Sequence, residues 1–146
     1  QRPGKIGIMT REGLFAVDEA IRFLRRQQKL KPMKISRGMS YAAQKYAKYQ
    51  GKKGLVGHYS GRTTPSSRVN KFGKWQRLIG ENIDYGWDTG KEVIMALLID
   101  DGISSRGHRI NLFKKEYTVV GVGCAVHRIY RHSCVMDYAG GFLENK

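Results

Sequence analysis

A chain of 146 residues, 40% of them hydrophobic, makes one ordinary domain and leaves no room for two well-packed ones. Its longest apolar run, Val93 to Ile99, falls far short of the roughly 20 residues that cross a bilayer, and no stretch is polar enough to imply wholesale disorder. Lys and Arg number 27 against 12 Asp and Glu, a formal charge of +15 that draws polyanions such as nucleic acid, heparin-like sugars, acidic headgroups and wall polymers.

Leu14, Val17, Ile21 and Leu24 recur at helical spacing behind Thr10, a candidate N-cap, and predict a first helix over about residues 12–28. Pro32 and Gly38 interrupt the chain before a second helix. Its buried stripe is Met39, Ala42, Ala43, Tyr46 and Ala47, and Gly51 suits its C-terminal stop. Thr64 then caps a short helix with Pro65 at its first position and Gly73 beyond it. Leu78 to Tyr85 reads as a strand. Thr89 and Glu92 form a capping box ahead of a helix through Val93, Ala96, Leu97 and Asp100, ended by Gly102. Ser104 to Leu112 is compact and reads as a helical turn. Tyr117–His127 and His132–Tyr138 are rich in β-branched and aromatic residues and flank the turn Arg128-Ile129-Tyr130 as a hairpin. Helices early and a hairpin late predict an α+β fold rather than a doubly wound sheet.

The basic residues are dispersed: Arg22, Arg25 and Arg26 early, Lys45, Lys48 and Lys52 next, then Arg68, Lys71 and Lys74. They read as a solvated cationic surface or as a polyanion site, and nothing beside them marks specific nucleic-acid recognition. The chain opens at Gln1 without methionine, which raises the expectation of a segment removed upstream, a signal peptide being one candidate.

Four stretches set polar residues beside glycines: Gly57-His58-Tyr59-Ser60, Gly80-Glu81-Asn82-Ile83, Asp100-Asp101-Gly102 and Arg106-Gly107-His108-Arg109. Singly they are weak signals, since a lone loop histidine is more often exposed or hydrogen-bonded than a ligand. Asp100 emerges from the buried stripe of its helix, where a carboxylate needs a partner, and the Gly102 turn could supply one.

In combination they carry more. Gly57-His58-Tyr59, Thr64-Pro65-Ser66-Ser67-Arg68-Val69, Gly80-Glu81-Asn82-Ile83, Ser105-Arg106-Gly107-His108-Arg109-Ile110-Asn111-Leu112-Phe113 and Val120-Gly121-Val122-Gly123 resemble, in order, the CAP superfamily. That family comprises cysteine-rich secretory proteins, antigen 5 and pathogenesis-related 1 proteins, also called SCP-like. The resemblance runs from about Phe15 to Phe142. It implies one SCP-like domain over 1–146 and an α–β–α sandwich, a central antiparallel sheet flanked by helices. It also implies an open cleft lined by two histidines and two acids, which fall by position on His58, Glu81, Asp100 and His108. Asp100 stands where the better-known eukaryotic members carry glutamate, and Asp101 is its close rival. Gly-His-Arg-Ile-Asn replaces the Gly-His-Tyr-Thr-Gln of those members, as in microbial-type members. These residues do not include the cysteine-rich extension of the vertebrate proteins, so its channel regulation is not among the expectations.

Two imidazoles and two carboxylates can do three things. They can hold Zn²⁺ or another divalent cation through His58 and His108, run acid–base hydrolysis as a metal-dependent peptidase or nuclease, or form a mutually satisfied polar network. Ser60 sits one place too late for Gly-x-Ser-x-Gly, so Ser60 and Ser104 are nucleophiles on paper only and no catalytic residue is assigned. Tyr59 and Trp75 are candidates to border the cleft, Trp75 otherwise belonging to the core. His127 and His132 flank the hairpin turn and read as surface residues. If that turn pairs His127 with Arg131, Cys124 falls opposite Cys134, within reach of a disulfide. Two buried thiols are the alternative, and the secreted character of the family favours the bond.

The expectation is therefore a secreted, extracellular binding, defence or host-interaction module with a cation-competent cleft and, by resemblance, a small-molecule, lipid or sterol partner. A cationic module binding heparin-like sugar or another acidic surface is the alternative to both this and the hydrolase. No specific nucleic acid is expected, membrane contact is peripheral at most, and the chain is expected to be a monomer.

Overall fold

The computed structural model describes residues 10–146. Helix α1 runs Phe15–Arg26, starting after Leu14, which offers no side-chain cap. Thr10 is therefore not the N-cap. Gly13, at φ 60°, breaks the chain between them, and the backbone N–H groups of Arg11 and Glu12 are spent on Asp101 (2.8 and 3.0 Å). Strand β1, Lys34–Ile35, leads into helix α2, Arg37–Lys53, capped by Ser36, whose hydroxyl accepts from the Met39 N–H. Gly51 does not stop this helix. A Cβ there would meet the Val126 carbonyl oxygen at 2.0 Å, so the glycine lets α2 lie against the sheet, and the helix ends at Gly54 with φ 71°.

A 3-10 turn at Ser60–Arg62 precedes helix α3, Pro65–Val69, where Thr64 and Ser67 form the capping box. Strands β2, Gly73–Trp75, and β3, Ile79–Tyr85, are followed by helices α4, Gly90–Ile99, and α5, Gly107–Leu112. The hairpin is β4, Val119–His127, and β5, Arg131–Ala139. Strand β6, Phe142–Glu144, pairs with β2 in a separate two-stranded sheet. The main sheet runs β1-β4-β5-β3. It is antiparallel except at β1, which pairs with β4 in parallel. Strands of two or three residues carry no periodicity, which is why β1, β2 and β6 escaped the sequence.

Alternation along β5 sorts the layers. Val135 packs with Ala43, Tyr46 and Ala47 of α2, whereas Met136 and Tyr138 pack with Val93 and Leu97 of α4. With α1 against α4 and α5 against β3, the architecture is an α–β–α sandwich. Strand β3 forms one edge of the sheet, and both helical layers reach it.

The ladder pairs His127 with Arg131 and Cys124 with Cys134, and the disulfide between those cysteines is formed. His127 is not a surface residue. It is 1% exposed, its Nε2 donates to the Leu55 carbonyl at 2.8 Å, and its Nδ1 accepts from the N–H groups of Ile129 and Tyr130, so the imidazole knots the turn to the end of α2. His132 is half-buried.

Candidate functional site

The loop after α2 carries His58, whose Nδ1 lies 2.8 Å from Glu81 Oε1. Ionised carboxylates only accept, so the ring donates its Nδ1–H, and in the neutral imidazole Nε2 then carries the lone pair. Glu81 comes from β3 and its side chain is 1% exposed, against 41% for His58. Its second oxygen takes the Arg68 guanidinium at 2.5 Å. Arg68 also donates to the His58 carbonyl and Thr63 Oγ1, both at 3.0 Å, and stacks 3.5 Å above the Tyr46 ring. This arginine, counted with the cationic surface from sequence, is 6% exposed. Long-range partners removed it from solvent.

Directly opposite Glu81 on β5 stands Asp137, 0% exposed. Burial first, and the Glu81 charge next, push its pKa well above the carboxylate range. Two like charges facing each other in a ladder repel, which favours the neutral form of Asp137.

The second imidazole is built differently. Helix α4 ends at Ile99, before Gly102, because Asp100 takes the left-handed C-cap itself at φ 55°. Its carboxylate then accepts from the His108 backbone N–H (2.9 Å) and from Nδ1 of the same residue's ring (2.8 Å). Asp101 instead serves the chain before α1. Arg106, itself at φ 52°, holds this loop down, pairing with Glu12 and Glu19 and donating to the Asp100 carbonyl. Hydrogen bonds from Arg106 and from Arg109 hold Glu19 at about 2, and those from Glu12 and Glu19 drive Arg106 further above its ordinary value.

Neighbouring residues of β3 connect the two pairs. Asn82, 0% exposed, donates to the His108 carbonyl at 3.0 Å, and Asn111 donates to Asn82 Oδ1 at 2.9 Å and to the Glu81 carbonyl at 3.4 Å. Glu81 and Asn82 point to opposite faces, so the His58 pair belongs to the α2 layer and the His108 pair to the α4–α5 layer, with the edge strand between. Asp84, buried on the second side, is pushed up to about 6 by burial, against the weaker opposing pull of the Trp87 backbone and His108.

Neither Nε2 has a hydrogen-bond partner among the described residues, and both rings reach solvent, His108 at 28%. Tyr59, 70% exposed, sets its ring 6.3 Å from that of His58. Trp75 packs against the cluster of Met39 and Val69, with Nε1 donating to Ser66 Oγ. Ser60 is committed to the Val56 carbonyl and Gln50, and no imidazole hydrogen-bonds a serine among the described residues. Sequence reasoning missed Arg68, Asp84 and Asp137 as site residues. A signal existed for the two aspartates, since each interrupts an apolar strand at a buried position.

A profile of the cysteine-rich secretory protein family, CAP, matches residues 19–138. The chain belongs to that family. This CAP chain is 32% identical over 100 residues to the uncharacterized protein YkwD of Bacillus subtilis (strain 168), a stretch covering 68% of this chain and 37% of that protein. It thus spans little more than a third of that relative. An outer surface protein from Borrelia burgdorferi shares the fold at a TM-score of 0.66 and 21% identity, over 94% of this chain and 97% of that one. An extracellular protein containing a SCP domain from Bacillus anthracis str. Ames does so at 0.61 and 21%, over 92% and 45%.

Proposed function

We propose that this CAP chain is an extracellular, non-enzymatic binding module whose cleft takes a divalent cation, zinc first, through Nε2 of His58 and of His108. The observation that carries the reading is the matched pair of carboxylate–imidazole bonds, Glu81 to His58 and Asp100 to His108, each at 2.8 Å. A carboxylate on Nδ1 is how proteins orient a metal-binding imidazole and leave Nε2 as the donor. Strand β3 is the sheet edge, and the reading requires the rings from the two layers to meet beyond it. No group of three or more His, Cys, Asp or Glu surrounds a metal position among the described residues. Two imidazoles would therefore be the whole protein contribution, with water or a ligand completing the shell, as at open zinc sites. The disulfide, and neighbours named as an outer surface protein and an extracellular protein, support the setting.

Calorimetric titration of zinc tests this. Wild type should bind one ion, and binding should weaken as falling pH protonates imidazole, because zinc takes only the unprotonated ring. Alanine at either histidine should abolish it. No heat of binding in wild type near neutral pH would leave the four residues as a structural network.

A further inference from the structure

Beside Arg68, between α2, the 3-10 turn and α3, lies a crevice of about 280 Å³ whose lining includes neither imidazole. Tyr46, Tyr49 and Phe72 contribute aromatic surface to it, and Lys45, Arg68 and Lys71 contribute cations. No carboxylate lines it. Lys45 sits 5.5 Å from the centre of the Phe72 ring, and neither it nor Lys71 has an ion pair among the described residues. Arg68 spends both terminal nitrogens on protein acceptors while its Nε is buried with no acceptor at all. A concave, aromatic surface with unpaired lysines at its rim is unlike the surroundings of Lys48 and Lys52, exposed elsewhere on α2.

Charge decides the sign of the occupant and the rings decide its shape. Two lysines without an acid, beside an arginine already paired with Glu81, favour an anion, and aromatic walls favour a flat ring whose faces and edges they can meet. The volume lies just under the range usual for drug-sized ligands, which limits the occupant to one or two rings. We propose that this crevice binds a small aromatic anion, one or two fused rings bearing a carboxylate or a phosphate. Lys45 and Lys71 meet the charge, and Tyr49 and Phe72 meet the ring. The site is separate from the cation site and stands or falls without it.

The test is an NMR titration of the full chain's backbone amides, without added metal, with indole-3-acetate, 1-naphthyl phosphate and the neutral control indole-3-ethanol. Saturable shifts at Lys45, Tyr49, Thr63 and Phe72 are expected, with the neutral compound about tenfold weaker or worse. If only one of the two anions does this, the headgroup is identified and the proposal holds. Lys45→Glu, at an exposed position, should weaken the anions about tenfold or more with an unchanged melting temperature, so its result stands even if Tyr49→Ala fails to fold. Equal binding of indole-3-ethanol, shifts scattered over Lys48 and Lys52, no binding at millimolar concentration, or indifference to Lys45→Glu would each overturn the proposal. So would a heparin oligosaccharide that moves the same amides while the aromatic anions do not, since the crevice would then read charge alone.

Discussion

The two imidazole pairs reach the same bond length by opposite routes. Glu81 is fixed by tertiary structure: a strand position, the Arg68 guanidinium bound to it and buried Asp137 across the ladder. Asp100 is fixed by local backbone: a left-handed helix cap whose carboxylate takes the peptide N–H and the ring of a residue eight places on. One pair should fail when a distant charge is removed, the other when a single turn is altered.

The largest effect is expected on the tertiary side. Arg68→Met strands Glu81 beside Asp137 with no cation, and breaking such a buried pair costs about 3–5 kcal/mol. Urea unfolding measures it, and the His108 ring resonances should stay where they are. Asp100→Ala comes next, at about 2–3 kcal/mol, because it loses two hydrogen bonds and places alanine at φ 55°. Asp100→Asn should cost less, since asparagine tolerates that backbone and can still accept from the His108 N–H. Its amide N–H₂ would face the ring, however, and turn Nδ1 into an acceptor. The proton then moves to Nε2, and zinc affinity should fall by roughly 10- to 100-fold.

Reducing the Cys124–Cys134 bond, which closes a separation of 10 residues, should cost roughly 2–3 kcal/mol without favouring either pair. If reduction disturbs one imidazole and spares the other, the two halves are less independent than their separate supports imply. The smallest effect concerns Asp84, on the His108 side. Its pKa rises from 3.8 to about 6 on folding, so the folded state holds the proton more tightly than the unfolded chain does. Stability should therefore fall as pH rises from about 4 through about 6, and Asp84→Asn should flatten that slope. The variant should be more stable than wild type at pH 7 by on the order of 1–2 kcal/mol, as thermal melts across that window would show.

The same contrast explains what could be seen in the sequence. The stripe of α2, the Thr64-Pro65 start of α3 and the hairpin with its cysteine register were legible because each is encoded by neighbours a few residues apart. Gly51 misled because it answers to Val126 across the interface rather than to its own helix. His127 misled in the same way, its burial set by Leu55. Histidines and acids of the site stood out beside their glycines, but Arg68 looked like any surface arginine until Glu81 was placed next to it. Asp137 could have been suspected from a charge inside the run Val135–Ala139, where alternation leaves no solvent-facing position.

If the proposed site is right, two carboxylates set both rings with Nδ1–H inward and Nε2 outward as the metal donor. Imidazole nitrogen chemical shifts measure this directly, in the free protein near neutral pH and again with one equivalent of zinc. Before zinc, His58 and His108 should both carry the proton on Nδ1, and zinc should move both Nε2 resonances while leaving Nδ1 protonated. A proton on Nε2 of either ring in the free protein, or zinc that leaves both Nε2 resonances unmoved, would contradict it.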